Sequence, residues 1–139
     1  MKIAIINGPN LNLVGTRETG IYGDESFEHF FNKLRKKYET IDFDYFQSNI
    51  EGEIINELQS AALKMDGIIL NAGAYTHTSI AIGDTVAAIK TPVVEVHISN
   101  IEAREEFRKY SHISSKCAGT IFGFGLKGYV LAVESFLIK

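Results

Sequence analysis

Residues 67–100, GIILNAGAYTHTSIAIGDTVAAIKTPVVEVHISN, decide the architecture. Gly67 to Leu70 and Val93 to Val96 are short runs, β-branched and apolar on both faces, as strands covered on both sides of a sheet are. Between them, Ser79 to Ile89 reads as a helix. It ends before Pro92, whose ring disfavours helix at Thr91 and which then opens the second strand. Strand, helix and strand in this order make a parallel crossover unit, and such units are right-handed.

The same alternation extends outward in both directions. Ile3 to Ile6, Ile41 to Phe46 and Thr120 to Phe122 complete a set of five strands. A helix after the first strand carries Phe27, Phe30, Phe31, Leu34 and Tyr38 on one stripe and Lys33, Lys36 and Lys37 opposite, with Ser26 at the N-cap position. Another carries Ile54, Ile55, Leu58, Ala61 and Ala62, and a last one runs from about Lys127 to Leu137. The pattern predicts a single α/β domain over residues 1–139, a three-layer sandwich around a five-stranded parallel sheet in the flavodoxin-like order 2-1-3-4-5.

Composition narrows the function classes. The 139 residues are 45% hydrophobic and 22% charged, ordinary for one globular domain. Fourteen basic against seventeen acidic residues give a net charge of −3 with no basic block, which argues against a nucleic-acid partner. No apolar run approaches the ~20 residues that a membrane-crossing helix needs. The single cysteine, Cys117, has no internal disulfide partner, and the chain starts directly in an apolar strand pattern. The expectation is a cytoplasmic protein without a membrane partner.

One connection departs from the rule of short loops. Asn10 to Glu25, NLNLVGTRETGIYGDE, spans sixteen residues where a strand-to-helix loop usually takes two to six, and it holds three glycines, Arg17 and Tyr22. Its core, about residues 15–25, is expected to act as an active-site lid. The plainer alternative is a disordered insertion.

In a parallel α/β sheet the ligand crevice lies beyond the carboxyl ends of the strands. Asn7-Gly8-Pro9-Asn10, then Asn71 through His77, then His97-Ile98-Ser99-Asn100 follow the first, third and fourth strands, so three polar clusters share one edge. A single Asn or His there is usually a turn former or cap, but three together with the long connection point to a site. Glu95 and His97 are two apart on a strand and project from one face, so the carboxylate can orient the imidazole as a general acid requires. A satisfied core histidine paired with a buried Glu is the alternative. An Arg17 held beside Tyr22 would favour the phenolate and make it a usable base; the alternative is an exposed Tyr and Arg on a mobile loop. Arg108 with Ser99 suits a carboxylate or phosphate, whereas Arg104, four residues earlier, either shares its face or pairs with Glu residues on a solvated surface. A zinc site on His77, His97 and His112 fits poorly, because the spacing matches no ligand motif and asparagines surround it. No phosphate-loop motif follows the first strand and no lysine directly follows any strand, so nucleotide hydrolysis and Schiff-base chemistry lose support.

The strings NGPNLNLVGTRE, IYG, SNIEGEIINELQ, GIILNAGAYTHTSIAIGD, VVEVHISNIEAREEFR and GFGLKGYVLAVE, in that order over essentially the whole chain, resemble type II 3-dehydroquinate dehydratase. The resemblance implies a lyase that removes water from 3-dehydroquinate to give 3-dehydroshikimate by anti elimination through an enolate, with neither metal nor cofactor. It implies Tyr22 as the base, Arg17 as the cation favouring its phenolate, His97 as the acid oriented by Glu95, and Asn10 as holder of a water on the enolate oxygen. Asn71, His77 and Arg108 would bind the substrate's hydroxyls, and Ile98 and Ser99 its carboxylate. Asp84 would reach the site from a neighbouring subunit of a homo-oligomer, a dodecamer built from trimers. The chain departs from the family's frequent pattern at Thr19-Gly20, which predicts a more flexible hinge, at Gly83 in place of an Arg, and at Glu102 in place of a His. The competing expectation is a flavodoxin-like module that closes over a small anion without chemistry; it needs donors, but no base and acid pair.

Overall fold

The computed structural model of the chain describes residues 1–16 and 18–139. Five parallel strands, β1 (Lys2–Asn7), β2 (Asp42–Gln47), β3 (Gly67–Asn71), β4 (Val93–His97) and β5 (Gly119–Phe122), form one sheet in the order β2-β1-β3-β4-β5. The expected order and class hold. Helix α1 (Thr19–Tyr22) is one short turn, followed by α2 (Phe27–Lys37), α3 (Glu51–Ala62), α4 (Ile80–Ala88) and α5 (Lys127–Leu137).

Side chains alternate across the central strands and feed two separate cores. Ile3, Ile5, Ile69, Val94 and Val96 pack under α2 and α5, against Phe27, Phe30, Leu34, Tyr129 and Ala132. Their neighbours Ala4, Ile6, Ile68, Leu70 and Val93 face the other way, against Ile54, Leu58 and Ala61 of α3 and Ile82 and Val86 of α4. Central strands covered on both faces need apolar residues at every position, which is why β1, β3 and β4 lack a period of two in their sequence. The outer strands differ from expectation. In β2 only Phe43 is buried, and β5 is at best half-buried, because an edge strand is covered less completely. Asp42 and Asp44 on β2 place charge along that open edge.

Capping follows the sequence closely. The Ser26 hydroxyl accepts from His29 N–H (3.2 Å) at the start of α2, and Ser79 accepts from Ile82 N–H (2.9 Å) at the start of α4. The long connection after β1 is less irregular than its length predicts. Leu11–Leu13 form a 3₁₀ turn, Leu11 and Val14 are buried in the core, and Thr19–Tyr22 form a helical turn.

Gly83 also has a physical reason. A Cβ at this position in α4 would lie 2.3 Å from the His112 carbonyl oxygen, so any larger side chain would require the segment around residue 112 to move away.

Candidate active site

The carboxyl ends of β1, β3 and β4 open into a cavity built by close backbone approach. Asn7 and Asn71 are register partners at the ends of β1 and β3, and Gly8 N–H donates to the Asn71 carbonyl (2.7 Å). A Cβ on Gly8 would sit 2.6 Å from the Ala72 carbonyl oxygen, so the two loops cross only because residue 8 is glycine. Asn10 takes up left-handed backbone (φ 68°), which its short polar side chain tolerates, and its N–H donates to Asn49 Oδ1 (3.0 Å).

Beneath the cavity lies a fully buried polar chain. The Tyr129 hydroxyl, from α5, donates to Asn7 Oδ1 (2.8 Å) and accepts from Asn71 Nδ2 (2.9 Å), while Asn71 Oδ1 accepts from Gly73 N–H (3.1 Å). The Asn71 side chain thus stands at a set angle, held at both its oxygen and its nitrogen. Burial pushes the Tyr129 phenol far above its ordinary range, so it stays a neutral hydroxyl.

His97, at the end of β4, is 5% exposed, and its Nε2 lies 2.9 Å from Oε1 of the wholly buried Glu95. Burial alone would raise the Glu95 carboxyl. The hydrogen bond and charge of His97, with donations from Ser114 and Thr76, outweigh that effect and hold it below the usual carboxylate range. The ring of His77 stacks over that of His97 at 6.3 Å, and its Nδ1 meets the Tyr110 carbonyl at 2.7 Å. The carbonyl can only accept, so the proton sits on Nδ1 and Nε2 is left as an acceptor. Burial, reinforced by the positive charges of His97 and Arg108, pushes His77 below its ordinary value and keeps it neutral, despite the opposing pull of the Tyr110 carbonyl and Glu95.

Tyr22, from α1, lines the same cavity. Its hydroxyl oxygen accepts from Arg104 Nη1 (2.9 Å), and the guanidinium carbon lies 5.6 Å from the ring centroid. Arg104 also reaches Ser99 Oγ (3.3 Å), which leaves the serine proton to donate elsewhere. Arg104 does meet a glutamate, its Nε lying 3.8 Å from Glu105 Oε2, but its guanidinium is mainly turned to Tyr22 and Ser99. Its side chain is only 16% exposed, and it supplies a cation beside Tyr22 in the structure, a role that sequence reasoning did not assign to it. Its four-residue spacing from Arg108 was the available signal. The arginines sit on two 3₁₀ turns rather than one helix, Arg104 just after Ile101–Ala103 and Arg108 within Glu106–Lys109, and Arg108 Nε is held by Glu105 Oε2 at 2.6 Å.

Asn10, Tyr22, Asn71, His77, His97, Ile98, Ser99 and Arg108 all line this one cavity, together with Arg104. Glu95 stands behind His97. Asp84 is exposed on α4 and does not line the cavity of its own chain. Arg17 lies outside the described residues. Among the described residues, no three His, Cys, Asp or Glu side chains converge as a metal-ion cluster, and no helix is long and apolar enough to cross a membrane.

One cavity thus holds a phenol beside a guanidinium and an imidazole beside a buried carboxylate, groups that can exchange protons with a bound molecule. Comparison with known proteins identifies the family. The family model described as dehydroquinase class II matches residues 1–137. A 3-dehydroquinate dehydratase of Fusobacterium nucleatum is 54% identical over 138 residues, covering 96% of this chain and 94% of that protein. The crystal structure of type II dehydroquinase from Butyrivibrio crossotus superposes with a TM-score of 0.95 at 46% identity, covering 99% of this chain and 98% of that one. That of Propionibacterium acnes type II dehydroquinase gives 0.92 at 38% identity, over 97% of this chain and 94% of the other.

Proposed function

This chain belongs to the class II dehydroquinase family, and from that premise we propose that its cavity dehydrates 3-dehydroquinate to 3-dehydroshikimate. Tyr22, as phenolate, takes the proton from the carbon next to the ketone, and the electron pair moves onto the ketone oxygen as an enolate. Arg104 and Arg17 favour the phenolate. A water held by Asn10 donates to the enolate oxygen. As the enolate collapses, the carbon–oxygen bond breaks, and His97 protonates the departing hydroxyl so that water leaves. Base and acid act from opposite sides of the substrate, an anti elimination. Asn71, His77 and Arg108 take the substrate's hydroxyls, with His77 Nε2 as an acceptor. Ile98 and Ser99 take its carboxylate.

No step in this scheme needs a metal or an organic cofactor. The whole chain serves as one catalytic domain, and residues 15–25 close over the bound substrate. Asp84 completes the site of a neighbouring subunit in a dodecamer of trimers.

The observation that carries the reading is the pairing within one cavity of Tyr22 against a guanidinium and His97 against an ionised, buried carboxylate. A module that only binds an anion needs neither. The test is the ultraviolet absorbance of the conjugated enone on addition of 3-dehydroquinate. His97→Asn should retain the fold and bind substrate, but lose on the order of 10² to 10⁴ in turnover, because hydroxide leaves poorly without a positioned acid. Residual turnover above about a tenth of the parent would remove His97 from the acid role. Absence of any enone from the parent protein would favour the binding module.

A further inference from the structure

Glu95 is buried with four hydrogen-bond partners, and only one of them is His97. Oε1 accepts from His97 Nε2 (2.9 Å) and from Thr76 Oγ1 (3.1 Å); Oε2 accepts from Ser114 Oγ and from Thr120 Oγ1 (3.2 Å). A carboxylate offers about four lone-pair sites, and here each is taken.

The donors come from separate elements. Thr76 lies in the turn after β3, Thr120 on β5, and Ser114 in the 3₁₀ turn Ser114–Lys116. The Ser114 turn is itself secured. Ser111 Oγ accepts from the N–H groups of Ile113 (3.0 Å) and Ser114 (2.9 Å), Ile113 is fully buried, and His112 N–H donates to the Thr76 carbonyl (2.9 Å). Neither Ser114 nor Thr120 lines the cavity.

We propose that Ser114 and Thr120 are positioning residues for the proposed acid: their hydroxyls hold Oε2 of Glu95, so that Oε1 meets His97 at one angle and with a set basicity. This rests on the reading of His97 as the acid. Glu95 and His97 share one proton as a coupled pair. Hydroxyl donors stabilise the bare carboxylate most, when the imidazole beside it is neutral, and less when an imidazolium already offsets the charge. Removing the donors therefore makes the pair hold its extra proton to higher pH, whichever partner carries it. A more tightly held proton is also harder to deliver to the leaving hydroxyl.

Other titratable or charged groups act on the same pair and stay in place in the variants. His77 faces His97 from the turn after β3, and Arg108, in the Glu106–Lys109 turn, lines the same cavity and acts on His77. Cys117, next to the Ser114 turn, has its thiol pushed up to about 12 by burial and by the charge of Glu95, with Lys116 acting the other way.

The experiment uses the assembled enzyme with ring-labelled histidine. There are four histidines, and His97→Asn identifies the resonance of His97 by its loss. In the Ser114→Ala/Thr120→Val double variant, the His97 ring titration should move up by about one pH unit, the size expected for lost charge-assisted donors. The alkaline limb of the kcat profile should move with it, and plateau kcat should fall about tenfold while KM stays within about threefold. Ser114→Thr and Thr120→Ser keep the hydroxyls and should restore the parent titration and profile. Should the double variant not assemble, Ser114→Ala and Thr120→Val are read singly, each with a smaller shift in the same direction. An unmoved His97 titration in a folded variant overturns the proposal whatever the activity does. A titration that moves while the kcat profile stays still supports the positioning role and instead overturns His97 as the acid.

Discussion

Two arginines four residues apart do different work here. Arg108 is held by Glu105 at the cavity wall, whereas Arg104 turns inward and places its guanidinium on the Tyr22 hydroxyl and the Ser99 hydroxyl. A positive charge beside a phenol stabilises the phenolate more than the phenol, so its removal should cost catalysis rather than affinity. Arg104→Met keeps the stem and drops the charge. Its kcat should fall on the order of 10²-fold, the scale of losing one preorganised charge partner, while Arg108→Met should mainly raise KM. Steady-state kinetics on both variants separate the two. A kcat within about threefold of the parent for Arg104→Met would reduce the Tyr22 contact to packing.

Among the elements, α5 makes the least obvious contribution to the site. It is the last helix in the chain, yet its Tyr129 reaches through the sheet's end to tie Asn7 of β1 to Asn71 of β3. All three residues are buried, so there is no water to replace a missing hydroxyl cheaply. Tyr129→Phe should therefore destabilise the protein by about 1–3 kcal/mol, because it strips a partner from two buried polar atoms without altering volume much. Thermal melts at fixed protein concentration measure this. A melting point equal to the parent's would mean the two asparagines pair elsewhere. The short helical turn that carries Tyr22 shows the opposite balance. No residue of α1 is fully buried, but Tyr22 packs partly buried against the core under α2 and α5 and meets Arg104.

Across the whole molecule, Asp84 stands apart from the other residues expected at the site. It is exposed on α4 and does not line the cavity that His97 lines, and the proposed function has it serve the site of a neighbouring subunit. If Asp84→Ala and His97→Asn chains, each inactive alone, are dissociated, mixed equally and reassembled, a head-to-tail trimer pairs intact His97 with intact Asp84 in roughly a quarter of its sites. Activity should return at about that fraction of the parent. Mixed oligomers seen by mass spectrometry with no return of activity would place Asp84 outside the reaction.

The strand and helix alternation, the strand order and the edge that carries the site were all legible in the chain, because buried strands and amphipathic helices write their environment into residue type at short range. The Glu95–His97 pair was legible for the same reason: two residues apart on a strand share a face whatever the rest of the fold does. Arg104 at Tyr22 was not, since the two are 82 residues apart and the contact depends on how two loops from different strands meet. The four-donor setting of Glu95 and the Tyr129 bridge were equally invisible. A serine, a threonine or a buried tyrosine has no periodic signature of its own, and whether its hydroxyl faces water, backbone or a carboxylate is decided only when distant segments pack. The edge strands make the same point for packing: β2 and β5 read as buried runs, but their position at the two ends of the sheet leaves one flank open, and position in a sheet is a property of the whole fold.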